Sequence, residues 1–118
     1  MSEHQTQVAF VQWCAAKKNK YPMLEFSYAI PNASKRTPAM ASWMKAEGMR
    51  KGVLDWCLPF PCAGFHGMYI EFKHGKNKLT AEQDEFMNYV RRIGYYVAVC
   101  YTVDEAIAAV ELYLEADV

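Results

Sequence analysis

Gly52-Val53-Leu54-Asp55 and, a little further on, Met68-Tyr69-Ile70-Glu71-Phe72-Lys73 decide how this chain is read. As a strand, residues 68 to 73 alternate faces, so Met68, Ile70 and Phe72 point one way and Tyr69, Glu71 and Lys73 the other. A neighbouring strand through Asp55 would bring a second carboxylate to Glu71. A hard cation such as Mg²⁺ takes oxygen ligands, keeps several waters and commonly uses one or two carboxylates, which Asp55 and Glu71 can supply. Lys73 is then placed to orient an attacking water, whose pKa the metal lowers, and to stabilise charge developing on a phosphate. The pattern points to metal-dependent phosphodiester hydrolysis. Taken alone, Glu-x-Lys more often marks an ordinary Glu/Lys pair on a surface strand.

The setting favours the first reading. Asp55 lies in the apolar run Val53-Leu54-Asp55-Trp56-Cys57-Leu58, where a carboxylate is costly to bury unless it is paired, hydrogen-bonded or metal-bound. Glu71 is framed by Tyr69, Ile70 and Phe72, and the basic loop His74-Gly75-Lys76-Asn77-Lys78 follows at once.

The 118 residues suffice for one domain with one real core, spanning 1–118. A hydrophobic content of 53% against 22% charged residues argues against disorder and leaves apolar surface for a dimer interface. No run approaches the roughly 18 apolar residues of a membrane span, and the N-terminus lacks a charged-then-apolar signal, so the chain reads as soluble and intracellular. Cys14, Cys57, Cys62 and Cys100 are too scattered for a disulfide framework and read as buried thiols. Cys57, Cys62 and His66 are the one spacing that suits zinc, but no second close pair completes a tetrahedral site.

Net charge is zero, yet the charges are segregated: residues 1–80 hold eleven Lys/Arg against five Asp/Glu, and residues 81–118 hold two against eight. A basic half carrying the site, with the acidic half elsewhere, is compatible with binding a polyanion.

Residues 4–19 read as a helix with Val8, Val11 and Ala15 on one face and Phe10 and Cys14 beside it. Residues 24–30 read as a first strand, and Thr37 with Pro38 opens a helix that Gly48 ends. Residues 53–58 and 68–73 form an antiparallel pair. Thr80-x-x-Gln83 is a capping box before a helix with Phe86, Tyr89, Val90 and Ile93 inward, stopped by Gly94. Residues 95–101 read as an interior strand, and Thr102-x-x-Glu105 caps a last helix with Ile107, Val110 and Leu114 inward. The expected fold is α/β, a small mixed sheet flanked by helices in the order α-β-α-β-β-α-β-α.

On these motifs the chain resembles the PD-(D/E)XK nuclease superfamily and, more narrowly, a stand-alone virus-type replication-repair nuclease (VRR-NUC) domain of the kind found in phages. The resemblance runs through Glu3-x-x-x-Gln7, Ile30-Pro31-Asn32 with Lys35-Arg36, Lys51-Gly52-Val53-x-Asp55, Tyr69-Ile70-Glu71-Phe72-Lys73, Leu79-Thr80-x-x-Gln83 and Gly94-Tyr95-x-Val97-Ala98-Val99. It implies a restriction-endonuclease-like core. Asp55, Glu71 and the backbone carbonyl of Phe72 would bind Mg²⁺ or Mn²⁺, Lys73 would be catalytic, and Glu3 and Gln83 would approach the site. Acidity in a helix's first turn and the capping box explain those last two equally well. Where the family has proline before the aspartate this chain has Leu54, which implies altered local geometry with activity kept.

Lys35, Arg36, His74, Lys76 and Lys78 are the candidate phosphate contacts, which position DNA without reading its sequence. His4 and His66 read as solvated or structural. The implied function is a structure-specific endonuclease on branched DNA, resembling a Holliday-junction resolvase, active as a homodimer in the cytoplasm of a phage-infected or prophage-bearing bacterium, with no organic cofactor. The competing readings are a flap, end-processing or restriction-type nuclease on the same fold, and a catalytically silent DNA-binding subunit.

Overall fold

The computed structural model describes residues 1–32 and 37–116. Its elements run α1 (Glu3–Ala16), β1 (Tyr28–Ala29), α2 (Pro38–Ala46), β2 (Trp56–Leu58), β3 (Met68–Phe72), α3 (Ala81–Arg92), β4 (Tyr96–Cys100) and α4 (Val103–Glu115). This is the expected order. The sheet is mixed, in order β1-β2-β3-β4, with β1–β2 and β2–β3 antiparallel and β3–β4 parallel. The parallel step needs a crossover, and α3 provides it.

Strand alternation sorts the core into two layers. Met68, Ile70 and Phe72 join Trp56, Leu58 and Cys100 on one face, under Phe10 and Cys14 of α1 and Ala106, Val110 and Tyr113 of α4. The opposite face carries a smaller cluster, Leu54, Met87, Val90 and Val97, roofed by α3. Aromatic packing dominates the first: the Phe10 ring meets Trp56 edge-on at 4.9 Å between centroids and Phe72 at 5.6 Å. All four cysteines are free and buried. No helix among the described residues is long and apolar enough to cross a membrane.

Several expected details change. Residues 24–30 do not form one strand: Pro22–Phe26 is a 3₁₀ turn with Pro22 at its start, and only Tyr28–Ala29 pairs with β2. Leu24 is buried while Phe26 is exposed, although a strand would place residues two apart on one face. In α1 the buried face is Thr6, Phe10 and Cys14, and Val8 and Val11 face outward. Apolar residues surround that helix, so spacing could not choose, and burying the Phe10 ring removes more apolar area than burying a valine.

The inward face of α3 is Gln83, Met87 and Val90, whereas Tyr89 and Ile93 are exposed. Tyr89 lies under the Arg92 guanidinium, a surface role its amphipathic ring tolerates. In α4 the fully buried residues are Ala106, Val110 and Tyr113, with Ile107 and Leu114 half-buried beside them. β4 is an edge strand and not an interior one. Its continuous apolar run reflects helices covering both of its faces.

Candidate active site

The site forms where β2 starts late. β2 begins at Trp56, so Asp55 sits just before the paired residues, with its N–H donating to the Ile70 carbonyl at 3.1 Å and its own carbonyl accepting from Ile30 N–H at 2.9 Å. The Asp55 side chain then takes a place in the ladder: its Oδ2 accepts from Phe72 N–H at 2.8 Å. Backbone geometry settles where the Phe72 carbonyl points. Lys73 N–H donates to the Cys100 carbonyl on β4 at 3.0 Å. The peptide is trans, so the Phe72 C=O is directed away from β4, toward Asp55.

Glu71 and Lys73 leave β3 on the α3 side and are 2% and 7% exposed. Gln83, equally buried, links them. Its Nε2 donates to Glu71 Oε2 at 2.9 Å, and its Oε1 accepts from Lys73 Nζ at 2.7 Å and from Thr80 N–H at 3.0 Å. The opposite amide orientation would set its NH₂ against the ammonium and its oxygen against the carboxylate, so the partners fix the assignment. Lys73 Nζ also lies 3.4 Å from Glu71 Oε2. Two buried charges are tolerable because they are paired and hydrogen-bonded. Gln83 therefore serves both as the capping-box partner of Thr80 and as the brace of this pair.

The segment entering the site from α2 is fastened to the first turns of α3. Arg50 pairs with Glu85 at 3.2 Å and Lys51 with Glu82 at 3.6 Å. Gly52, at φ +88°, comes so close that a Cβ there would lie 2.5 Å from Glu82 Cβ. The acidic half of the sequence thus reaches the edge of the site and pairs with two of its basic residues. The expected separation of a basic half from an acidic half does not hold in space.

Leu54 is fully buried among Met87, Val90 and Val97, so the residue standing where the family has proline supports α3 through packing. Sequence reasoning gave no role to two neighbours of the site, Gln7 and Tyr101. Gln7 Nε2 reaches the Asp55 carbonyl from α1 at 3.5 Å, and its place four residues after Glu3, on one helical face, is the signal that points to it.

Glu3 accepts from Asn77 Nδ2 at 3.3 Å, which puts its carboxylate against the loop after Lys73. Tyr101 O–H fixes that loop by donating to the Asn77 carbonyl at 2.9 Å. His74, Lys76 and Lys78 are exposed on the same loop. His74 also lines a groove of about 600 Å³ with Met1, Thr6, Tyr101 and Asp104. Lys35 and Arg36 lie outside the described residues.

Among the described residues no three His, Cys, Asp or Glu side chains converge into a ready metal cluster, at the zinc-like Cys57-Cys62-His66 spacing or elsewhere. The donor set at β3 is sparser: two carboxylates and one backbone carbonyl, all oxygen. That composition suits a hard cation that retains several waters, and Asp55, Glu71 and the Phe72 carbonyl are the residues that would hold it.

A solved structure described as a VRR_NUC domain protein matches 96% of this chain and 88% of its own, with a TM-score of 0.79 at 23% identity, a likeness in fold. No curated protein matches the chain. Residues 1–104 match the VRR-NUC domain. With that match covering all four strands and the Asp55, Glu71 and Lys73 positions, the chain belongs to the VRR-NUC domain family, nucleases of the PD-(D/E)XK type.

Proposed function

We propose that this chain is a Mg²⁺- or Mn²⁺-dependent endonuclease that hydrolyses phosphodiester bonds in branched DNA, in the manner of a Holliday-junction resolvase and as a homodimer. One observation carries the reading: Gln83 braces Glu71 and Lys73 together on one face of β3 while Asp55 is tied to Phe72 N–H beside them. When bound, the divalent cation lowers the pKa of its water and neutralises charge on the scissile phosphate.

The chain's own residues do the rest. Asp55, Glu71 and the Phe72 carbonyl supply oxygen donors. Lys73, held against rotation by Gln83, orients the nucleophilic water and stabilises the pentacovalent transition state. Gln83 acts through these two and is a positioning residue. Lys76, Lys78 and His74, together with Lys35 and Arg36, contact backbone phosphates, and selectivity then comes from DNA shape. Glu3 stands at the rim, tied to the loop after Lys73.

One such unit cuts one strand. Symmetric resolution of a junction needs two cuts related by a two-fold axis, which an isologous dimer provides.

The test is cleavage of a labelled four-way junction beside a linear duplex of matching sequence, with Mg²⁺, Mn²⁺ or EDTA, for wild type and Glu71→Ala. Metal-dependent paired cuts in the junction alone, absent in the variant, are expected, with sedimentation giving a dimer. Equal cutting of the duplex would replace the junction reading with an end-processing or restriction-type one. Binding without cutting in either metal would replace it with a silent DNA-binding subunit.

A further inference from the structure

Both ends of the loop after Lys73 are held from the end of β4. Lys73 N–H donates to the Cys100 carbonyl at 3.0 Å, and four residues on the Asn77 carbonyl accepts from the hydroxyl of Tyr101 at 2.9 Å. Tyr101 is itself anchored: its N–H donates to Glu105 Oε1 at 2.8 Å, and Glu105 N–H donates in turn to Oγ1 of Thr102, the cap of α4. Within the loop one turn is closed, Asn77 N–H to the His74 carbonyl at 3.0 Å, with Gly75 at φ +58°. Residues 74–78 are all exposed. A loop so exposed, with so little order of its own, ordinarily belongs to the most mobile part of a fold.

We propose that Tyr101 is a positioning residue for DNA: by pinning Asn77 it sets Lys76 and Lys78, on either side, to grip the backbone phosphates next to the scissile one. The inference rests on the nuclease reading above and adds how that site holds its substrate.

The charges of the loop favour a polyanion. Residues 73–80 contain no Asp or Glu, and neither Lys76 nor Lys78 pairs with a carboxylate among the described residues. Arg50 and Lys51, by contrast, are engaged by α3. The two carboxylates that touch the strap are occupied elsewhere, Glu3 by Asn77 Nδ2 at 3.3 Å and Glu105 by Tyr101 N–H. Two uncommitted ammonium groups flanking one pinned residue are complemented by successive phosphates.

Reach agrees. Lys76 is three residues from Lys73, at most about 11 Å of chain. At roughly 3.4 Å of axis per nucleotide of one strand, that lies within about three nucleotides of a phosphate at Lys73. A loop already fixed in place loses less conformational entropy on binding than one that must be ordered.

Each phosphate neutralised by a lysine releases counterions, so the slope of log affinity against log salt counts the contacts. Tyr101→Phe removes a hydroxyl and no cation, so it alters that count only by moving the lysines. The experiment is equilibrium binding of the full chain to a labelled four-way junction across a salt series, with Ca²⁺ replacing Mg²⁺, beside steady-state cleavage in Mg²⁺ and Mn²⁺. It compares wild type, Tyr101→Phe, Lys76→Ala with Lys78→Ala, and all three changes together. Tyr101→Phe should weaken binding about threefold to tenfold and lower the salt slope by about one or more. KM should rise with kcat held within about twofold. The paired lysine change should lower the slope by about two, and adding Tyr101→Phe to it should cost nothing further, because the two act through one contact.

An unchanged slope in Tyr101→Phe overturns the proposal, as does a full additional loss in the triple variant, which would give Tyr101 a role apart from the lysines. A fall in kcat with KM and slope unchanged also overturns it. If the slopes behave as expected but wild type cuts in neither metal, the nuclease reading fails while the grip stands. If wild type cuts and Glu71→Ala does not, with equal slopes in wild type and Tyr101→Phe, only the grip fails.

Discussion

On one face of β3, Met68, Ile70 and Phe72 meet Phe10, Trp56, Cys100, Val110 and Tyr113 in a layer rich in aromatic rings. On the other, Tyr69 meets Phe86 edge-on and Tyr95 at a tilt, while Glu71 and Lys73 two and four residues on are braced by Gln83. The same strand thus secures the fold on one side and holds an ion pair on the other. Because side chains alternate with period two, a slip of one residue would exchange the faces, putting Glu71 into the aromatic layer. The large apolar layer is what holds the register. The smaller α3 layer can then carry three buried polar side chains, Glu71, Lys73 and Gln83, without losing the strand's alignment.

Substitutions on either face separate these two jobs. Phe10→Ala empties the aromatic layer and should lower unfolding free energy by about 3–5 kcal/mol in urea titration, with residual folded protein still cutting DNA. A loss of under 1 kcal/mol would mean that the layer is not the main support. Lys73→Ala, on the other face, should reduce kcat by roughly 10², about 2.7 kcal/mol, with DNA affinity little changed. Full activity in that variant would leave the α3 face with a purely structural pair.

Gly52→Ala probes the join between the faces. It forces a Cβ to 2.5 Å from Glu82 Cβ at a positive φ, so a stability loss of about 1–3 kcal/mol is expected. Displacing the first turn of α3 should also lower the rate through Gln83. Loss of stability with an unchanged rate would show that Gln83 holds its place independently of residue 52.

The smallest effect at neutral pH concerns the thiols. Burial pushes Cys14 and Cys100 up to about 12 from an ordinary 9.0. Their folded-state values are raised, so the stability they contribute is complete below about pH 9 and declines as pH climbs toward 12, where the unfolded chain ionises first. Thermal melts should show Tm falling over that window, and alkylation of the native protein at pH 8 should be slow. Rapid labelling of either thiol would show that the aromatic layer opens readily.

Much of this was legible in the order of residues. The Thr80-x-x-Gln83 box, Thr37-Pro38 and the Gly48 and Gly94 stops each depend on contacts within a turn, and each stands where local spacing puts it. The burial of α1 was not legible, because Val8-Val11-Ala15 and Phe10-Cys14 are both apolar stripes, and the choice rests on Trp56 and Phe72 in distant strands. β4 reads as interior because an apolar run reports cover by helices as readily as by strands. Charge counted along the chain missed the pairing of Arg50 and Lys51 with α3 for the same reason.

By itself the sequence determined the order of helices and strands, their caps, and that Glu71 and Lys73 share a face of β3, since all of these follow from rules spanning two to four residues. Only the tertiary structure decided that Asp55, 17 residues before Phe72, places its carboxylate on the Phe72 N–H, that the Phe72 carbonyl turns toward it, and that Gln83 spans acid and lysine. Those depend on where β2 stops pairing and on how α3 settles over β3, and both are set by packing between segments that no local rule connects.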